Sequence, residues 1–124
     1  MSDQSDLAAF MQRYFDAYNH NDVEAIVSMV GAEQVRHVAG ETTVLDAAAS
    51  RARVEHWFEV YRTMHFEAVV IVADDPYVSA TWNAVATPHD GDRVVVSGIE
   101  VFRIDNGRIV EVWNAKESYA HFLP

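Results

Sequence analysis

The stretch RVVVSGIEVFRIDNGRIVEVWNAK, residues 93–116, predicts a β-hairpin and with it the C-terminal part of the fold. Val, Ile, Phe and Trp, which are enriched in strands, dominate it on both sides of a central Asp-Asn-Gly. An Asn-Gly pair between two such runs is a strong signal for a tight turn between antiparallel strands. We therefore expect strands over 93–104 and 108–116.

Two more long strands are expected upstream of this hairpin, over 65–73 and 77–88. Turn-forming residues separate them, namely Asp74-Asp75-Pro76 and, before residue 93, Asp90-Gly91. A shorter strand is predicted over 34–39, followed by a loop over 40–49 that contains a brief extended piece at 42–45. The second half of the chain thus predicts an antiparallel meander.

Helical spacing dominates the first half of the chain. A helix is predicted over 6–19, because its apolar residues recur at i, i+3 and i+4 and form one stripe. Those residues are Leu7, Phe10, Met11, Tyr14 and Tyr18. Asp22 is the expected N-cap of a short second helix that Gly31 would end, and Ser50 the expected N-cap of a third helix over 50–63.

Helices followed by a meander predict an α+β fold, with the helices packed on one face of a curved sheet around an internal pocket. The length of 124 residues suits a single domain over 1–124. The other face of the sheet then needs cover, so we expect a homodimer formed through it.

Charge and composition exclude several partners and chemistries. The chain has 19 acidic and nine basic residues, a formal charge of −10, which repels nucleic acid and anionic membranes. It has no apolar run near the roughly 20 residues of a membrane span and no signal-peptide pattern at its start, so a cytoplasmic location is expected. The absence of cysteine excludes thiol nucleophiles and Cys-based zinc sites.

Glu100 is the first candidate for a functional residue, because it interrupts an apolar strand. Alternation places it on one strand face with Gly98 and Phe102, which favours a position in the pocket. A carboxyl group desolvated there has a raised pKa and can donate a proton. A solvated acid on an exposed face is the alternative interpretation.

His37 lies in the strand predicted over 34–39, where alternation places it with Val35 on one face and places Arg36 and Val38 on the other. An imidazole at the rim of a pocket suits a general base, since its unperturbed pKa is about 6.5. A structural, hydrogen-bonded histidine is the alternative. Tyr14, on the stripe of the first helix, is either a core residue or a pocket donor.

Six further residues are candidates for binding a substrate. They are Asn83, Asn114, Trp57, Trp82, Phe102 and Trp113. The two amides interrupt apolar strands and must either orient a substrate or tether backbone, because a buried amide needs partners. The aromatic residues either line a cavity or fill the core.

No histidine spacing of the metal-binding kind occurs, and no glycine-rich nucleotide motif or nucleophile-elbow motif is present. We therefore expect neither a metal site nor a cofactor. The expected ligand is an apolar small molecule.

Five segments resemble ketosteroid isomerase and its relatives in the nuclear transport factor 2-like (SnoaL-like) superfamily. They are QRYFDAYNHND (12–22), IV (26–27), VRH (35–37), GIEVFR (98–103) and GRIV (107–110). The resemblance implies a cone fold, in which a curved, mixed sheet wraps around about three N-terminal helices. Their order along the chain agrees with the element order predicted above.

The resemblance also implies roles for three side chains. Tyr14 matches the tyrosine that donates a hydrogen bond to the substrate oxyanion. Glu100 stands where the isomerase has an aspartic acid that apolar surroundings keep neutral as the second donor. The general base of the isomerase, an Asp at the end of the first strand, is replaced here by His37.

An acid/base enzyme is therefore expected, with His37 as base and Tyr14 and Glu100 as donors, isomerising or cyclising a hydrophobic carbonyl compound of steroid, polyketide or terpenoid type. An epoxide-opening hydrolase or cyclase on the same fold is one alternative, although it usually needs a second carboxylate. A non-catalytic ligand-binding or dimerisation domain is the other, since fold does not determine function.

Overall fold

The framework of the fold is a mixed sheet of six strands in a computed structural model that describes residues 4–122. The strands are β1 Val30–Val38, β2 Glu41–Asp46, β3 Tyr61–Asp74, β4 Tyr77–Pro88, β5 Val94–Asp105 and β6 Arg108–Ser118. Their order across the sheet is β2-β1-β6-β5-β4-β3. Only the β1–β6 pair among these strands is parallel. The predicted α+β class and C-terminal meander are confirmed.

The hairpin between β5 and β6 has the predicted turn. Asn106 and Gly107 both have positive φ angles, 53° and 70°, as the two central residues of a type I′ turn require. Asp105 and Arg108 pair directly across it. Asn and Gly are the residues that adopt this left-handed backbone most readily, so this turn is decided locally.

Three helices lie within the described residues: α1 Gln4–Asn19, α2 Val23–Ser28 and α3 Ala47–Val60. The apolar stripe predicted for α1 is buried. Asp22 caps α2 as predicted, accepting a hydrogen bond of 3.1 Å from the Ala25 N–H. Gly31 does not end this helix, because α2 stops at Ser28 and β1 has already begun at Val30.

The third helix begins and ends earlier than the predicted 50–63. Its N-cap is Asp46, whose carboxylate accepts a 2.8 Å hydrogen bond from the Ala49 N–H. Ser50 is instead buried inside the helix and accepts a 3.1 Å bond from Gln34 Nε2. The chain turns extended at Tyr61, where β3 starts.

The predicted loop over 40–49 is largely a strand. β2 pairs antiparallel with β1 from Val38–Glu41 to Glu33–Asp46, so β1 also begins earlier than predicted. Local signals were weak here because β2 is exposed along most of its length. The segment forms a strand because its backbone pairs with β1, although its own sequence pattern does not predict one.

The inner face of the sheet packs against the helices and forms the core. Alternate residues of β4, from Val78 to Ala86, are buried, as period-2 patterning requires. Phe15 of α1 stacks on Phe66 of β3 at 5.8 Å. No helix within residues 4–122 is long and apolar enough to cross a membrane. The sheet and helices do not close completely, and a cavity remains between them.

Candidate active site

A cavity of about 310 Å³ lies between the inner face of the sheet and helices α1 and α3. Aromatic and aliphatic side chains form most of its wall. The ionic side chains of the described lining are Arg36, Arg53, Lys116 and Glu100, three cations and one carboxylate. The cavity is therefore positive in formal charge, although the chain as a whole carries −10.

Glu100 lies in the cavity wall on β5 and is only 8% exposed. Trp82 Nε1 on β4 donates a 2.9 Å hydrogen bond to Glu100 Oε1. Gly98 makes this contact possible, because a Cβ at that position would overlap the indole ring of Trp82. The carboxyl group is thus held by one oxygen, and Oε2 has no hydrogen-bond partner among residues 4–122.

Two tyrosines of α1 form a short hydroxyl chain beside the cavity. Arg53 Nη2 donates to Tyr18 Oη at 2.8 Å, and Tyr18 Oη lies 3.4 Å from Tyr14 Oη. Since the Tyr18 oxygen accepts from the guanidinium, its own proton can point toward Tyr14. The Tyr14 proton is then available for a ligand in the cavity.

Electrostatics keep Tyr14 protonated and Arg53 charged. Burial, followed by the charge of Tyr18, raises the pKa of Tyr14 well above its ordinary value, while Arg53 and Arg36 act in the opposite direction. Burial by itself lowers the pKa of Arg53, but attraction to Tyr18, Tyr14 and Glu100 more than offsets this and raises it. A neutral phenol donor beside a permanent cation results.

Three residues of the cavity lining carry buried polar atoms that no described residue satisfies. Arg53 Nε, Trp57 Nε1 and Asn114 Oδ1 are buried and lack hydrogen-bond partners within residues 4–122. Lys116 Nζ lies 5.3 Å from the centre of the Trp57 ring. Native proteins rarely leave buried polar atoms unpaired, so these three atoms are candidates for contact with a ligand or water.

His37 does not lie in this cavity, and the prediction that it converges there with Tyr14 and Glu100 is wrong. It occupies the outer face of the sheet, where its ring stacks on Trp113 at 5.3 Å. Its Nε2–H donates to Glu111 Oε2 at 2.7 Å, and its Nδ1 lies 2.9 Å from Thr42 Oγ1. Arg36 and Val38, the neighbours with opposite parity, line the cavity instead.

The six predicted substrate-binding residues divide evenly. Trp57, Trp82 and Asn114 line the cavity. Trp113 lies on the outer face with His37, and Phe102 is fully buried in the core, 5.7 Å from the Tyr14 ring. These two do not line the cavity described here.

Asn83 also lies away from the cavity and acts as a backbone tether. Its Nδ2 donates to the Phe122 carbonyl at 2.9 Å, and its Oδ1 accepts from the Phe122 N–H at 2.7 Å. His121 Nε2 adds a contact of 2.9 Å with the Ala84 carbonyl. The amide therefore holds the residues that follow β6 against β4.

Two arginines of the cavity escaped sequence reasoning. Arg36 was recognised only as a neighbour of His37. Arg53 precedes Trp57 by one helical turn, so it borders the apolar stripe of α3, and this spacing was the available signal. Its burial depends on packing against α1, which no local pattern encodes.

The described residues contain no group of three or more His, Cys, Asp or Glu side chains that could hold a metal ion.

Comparisons with known proteins agree with this architecture. The model of the SnoaL-like domain family matches residues 11–112. A search of curated protein sequences finds no significant match. The solved structures discussed next share less than 25% identity with the chain, so they support the fold alone.

Three solved structures illustrate the likeness. A protein assigned as a polyketide cyclase from Acidithiobacillus ferrooxidans has a TM-score of 0.81 at 23% identity, over 94% of this chain and 92% of that one. A protein assigned as a ketosteroid isomerase from Kribbella flavida has a TM-score of 0.76 at 16% identity, over 100% of this chain and 87% of that one. An LEH-like epoxide hydrolase from M. tuberculosis has a TM-score of 0.79 at 15% identity, over 92% of this chain and 84% of that one.

The predicted family resemblance is thus confirmed by a match that spans most of the chain and by the observed cone of helices and curved sheet. The protein belongs to the SnoaL-like domain family of the nuclear transport factor 2-like superfamily.

Proposed function

We propose that this protein is a cofactor-independent acid/base enzyme that isomerises or cyclises a hydrophobic small molecule bearing a carbonyl group, of steroid, polyketide or terpenoid type. The observation that carries the proposal is the cavity itself. The carboxyl group of Glu100 and the phenol of Tyr14 lie in the wall of the same largely apolar chamber. Solved structures of similar fold that are named as a polyketide cyclase and a ketosteroid isomerase support the reaction class.

Glu100 takes the role of base that the sequence resemblance had suggested for His37, because it supplies the only carboxylate in the described cavity wall. The carboxylate removes a proton from the carbon next to the carbonyl, and the bonding electrons move onto the carbonyl oxygen. Glu100 then returns the proton at a different carbon for isomerisation, or to the new alkoxide oxygen after ring closure. Trp82 holds one carboxyl oxygen during this exchange.

Tyr14 stabilises the oxyanion that forms on the substrate. Its raised pKa keeps it a neutral donor across the physiological range. The hydrogen bond from Arg53 to Tyr18 places a positive charge behind the hydroxyl chain. Donors fixed in advance toward a developing negative charge commonly supply a large part of catalysis.

Glu100→Gln tests the proposal. Gln keeps the shape and can still accept from the Trp82 N–H, but it cannot accept the substrate proton. On a substrate identified from a panel of β,γ-unsaturated ketones and polyketide-like β-dicarbonyl compounds, we expect kcat to fall about 10²- to 10⁴-fold. Glu117→Gln, at the exposed end of β6, is the matched control. Undiminished turnover by Glu100→Gln would refute the assignment.

Epoxide opening is a second candidate, because a guanidinium and a carboxylate share the cavity and one structural neighbour is an LEH-like epoxide hydrolase. A single carboxylate in the described lining weighs against it. Epoxides tested beside enones in the same panel separate the two reactions. A panel that gives binding without any turnover would favour a ligand-binding domain instead.

A further inference from the structure

We propose that the α3 wall of the cavity, formed by Arg53 and Trp57, is an anion site that selects hydrophobic ligands carrying a carboxylate. This anion site would define the substrate class of the proposed enzyme. Only the identification of the bound ligand as a substrate rests on the proposed function. The site itself is a statement about binding.

The first support is a pair of unused donors on one helix face. Arg53 Nε and Trp57 Nε1 are both buried and have no hydrogen-bond partner among the described residues. Their positions are i and i+4 on α3, so the two side chains lie one turn apart on the same side of the helix. Neither atom can accept a hydrogen bond, so the group that satisfies them must supply acceptors.

The second support is the charge of the cavity. Its described wall contains Arg36, Arg53 and Lys116 against the single carboxylate of Glu100. None of these four side chains takes part in the ion pairs found within residues 4–122. In a chain of formal charge −10, three unpaired cations around one cavity favour an anionic ligand.

A carboxylate fits this wall better than an isolated oxygen does. Its two oxygens can accept separately from the guanidinium N–H and from the indole N–H, and hydrogen bonds to a charged group are stronger than neutral ones. Glu100 does not compete for the indole of Trp57, because it is held by Trp82 on β4. The ligand's carbonyl is then free to face Glu100 and Tyr14.

The test compares two probes of the same shape, 2-naphthoate and neutral 2-naphthamide, by isothermal titration calorimetry at pH 7.5. We expect the wild-type protein to bind the naphthoate roughly 10- to 100-fold more tightly, as one hydrogen bond to a charged group implies. Equal affinity for the two probes would overturn the proposal.

Three variants locate the preference. Arg53→Met should abolish it, and Trp57→Phe, which keeps the ring but loses the N–H, should reduce it several-fold. Arg51→Met is the matched control, since Arg51 lies on the same helix but pairs with Glu24 at the surface, and it should keep the full preference. If Arg53→Met does not fold, Arg53→Lys, which keeps a charge but has no Nε–H, should weaken the preference.

Retention of the full preference by a folded Arg53 variant would disprove the anion site. This outcome is separable from failure of the enzymatic proposal, because no turnover is measured. Loss of turnover in Glu100→Gln together with equal binding of the two probes would support the proposed enzyme and refute the anion site. A naphthoate preference that depends on Arg53, together with unaffected turnover in Glu100→Gln, would support the anion site and refute the proposed role of Glu100.

Discussion

At Gly98 the β5 backbone passes beneath the indole ring of Trp82, and the indole N–H reaches Glu100 from there. Gly98 and Glu100 are two residues apart on β5, and Trp82 of β4 pairs directly with Gly98. Replacing one hydrogen of the glycine by a methyl group would place it inside the ring. The geometry of the candidate base therefore depends on a residue that has no side chain.

Gly98→Ala should destabilise the protein by about 1–3 kcal/mol, the usual cost of overpacking a core. It should also lower turnover, because Trp82 must move away from Glu100. Urea unfolding measures the first effect and kcat the second. In a Trp82→Leu background the same substitution should cost much less, and an undiminished cost in that background would contradict the steric explanation.

The two tyrosine hydroxyls should differ in importance although both are buried. Tyr14→Phe removes the proposed hydrogen-bond donor to the substrate and should lower kcat by roughly 10²- to 10³-fold, as loss of an oxyanion donor typically does. Tyr18→Phe removes only the link between Arg53 and Tyr14, so a smaller loss is expected. Steady-state kinetics on both variants decides the order, and an equal or reversed ranking would contradict the proposed chain.

At the scale of elements, a row of polar side chains joins four strands on the outer face of the sheet. Thr42 of β2 contacts His37 of β1, His37 bonds to Glu111 of β6, and Arg103 Nε of β5 donates to Glu111 at 3.1 Å. The row crosses the parallel β1–β6 pair, whose two strands are far apart in the chain and are not joined by a hairpin turn. These contacts favour the alternative interpretation of His37, a structural, hydrogen-bonded histidine.

Glu111 should make stability depend on acidic pH. The hydrogen bond from His37 lowers its pKa from the ordinary 4.5, against a smaller effect of burial, and Arg103 adds to the lowering. A group with a lowered folded-state pKa stabilises fully above its ordinary value, and its contribution disappears as the pH falls through the lowered one. The stabilising effect of Glu111 should therefore be lost below about pH 4.5.

Glu111→Gln measures this contribution through urea unfolding from pH 7 to pH 3. The variant should be less stable than the wild type at pH 7, and the difference should shrink as the pH falls below about 4.5. Glu117→Gln on the same strand serves as the control. A difference that is constant across this range would show that Glu111 does not stabilise through its charge.

At the scale of the molecule, the outer face of the sheet exposes apolar side chains that a monomer would leave in water. Val70, Val72, Tyr77 and Ile99 are between 45% and 61% exposed. The register places Val70 and Ile99 on either side of Thr81, so they belong to one continuous surface across β3, β4 and β5. We propose that a second copy of the chain covers this face.

Sedimentation should then give twice the mass of the 14.0 kDa chain. Ile99→Glu should shift the protein to monomer, because it introduces a charge in the middle of the apolar surface. Val60→Glu, at the end of α3 and away from this face, should remain dimeric. A wild-type protein that sediments as a monomer would refute the proposed interface.

Salt should strengthen this dimer. Two chains of charge −10 repel each other, and ions screen that repulsion over about 10 Å at 0.1 M. The dissociation constant should therefore fall as NaCl increases. An interface held mainly by ion pairs would show the opposite trend.

The inward positions of Tyr14 and Glu100 were predictable from the apolar patterns of the elements that carry them. Tyr14 belongs to the apolar stripe of α1, and Glu100 shares its face with Gly98 and the buried Phe102, so burial of their neighbours carries them inward. The length and turn of the β5–β6 hairpin follow from Asn106-Gly107 in the same local way. Family membership also followed from segments of sequence alone.

The orientation of β1 was decided only by the tertiary structure. Alternation showed that Arg36 and Val38 share one face and Val35 and His37 the other, but each face offers one valine and one charged or titratable residue. The parallel pairing of β1 with β6 chose between them, turning Arg36 into the cavity and His37 out. Pairing between segments far apart in the chain leaves no trace in local periodicity, and the burial of Arg53 between α3 and α1 depended on packing of the same long-range kind.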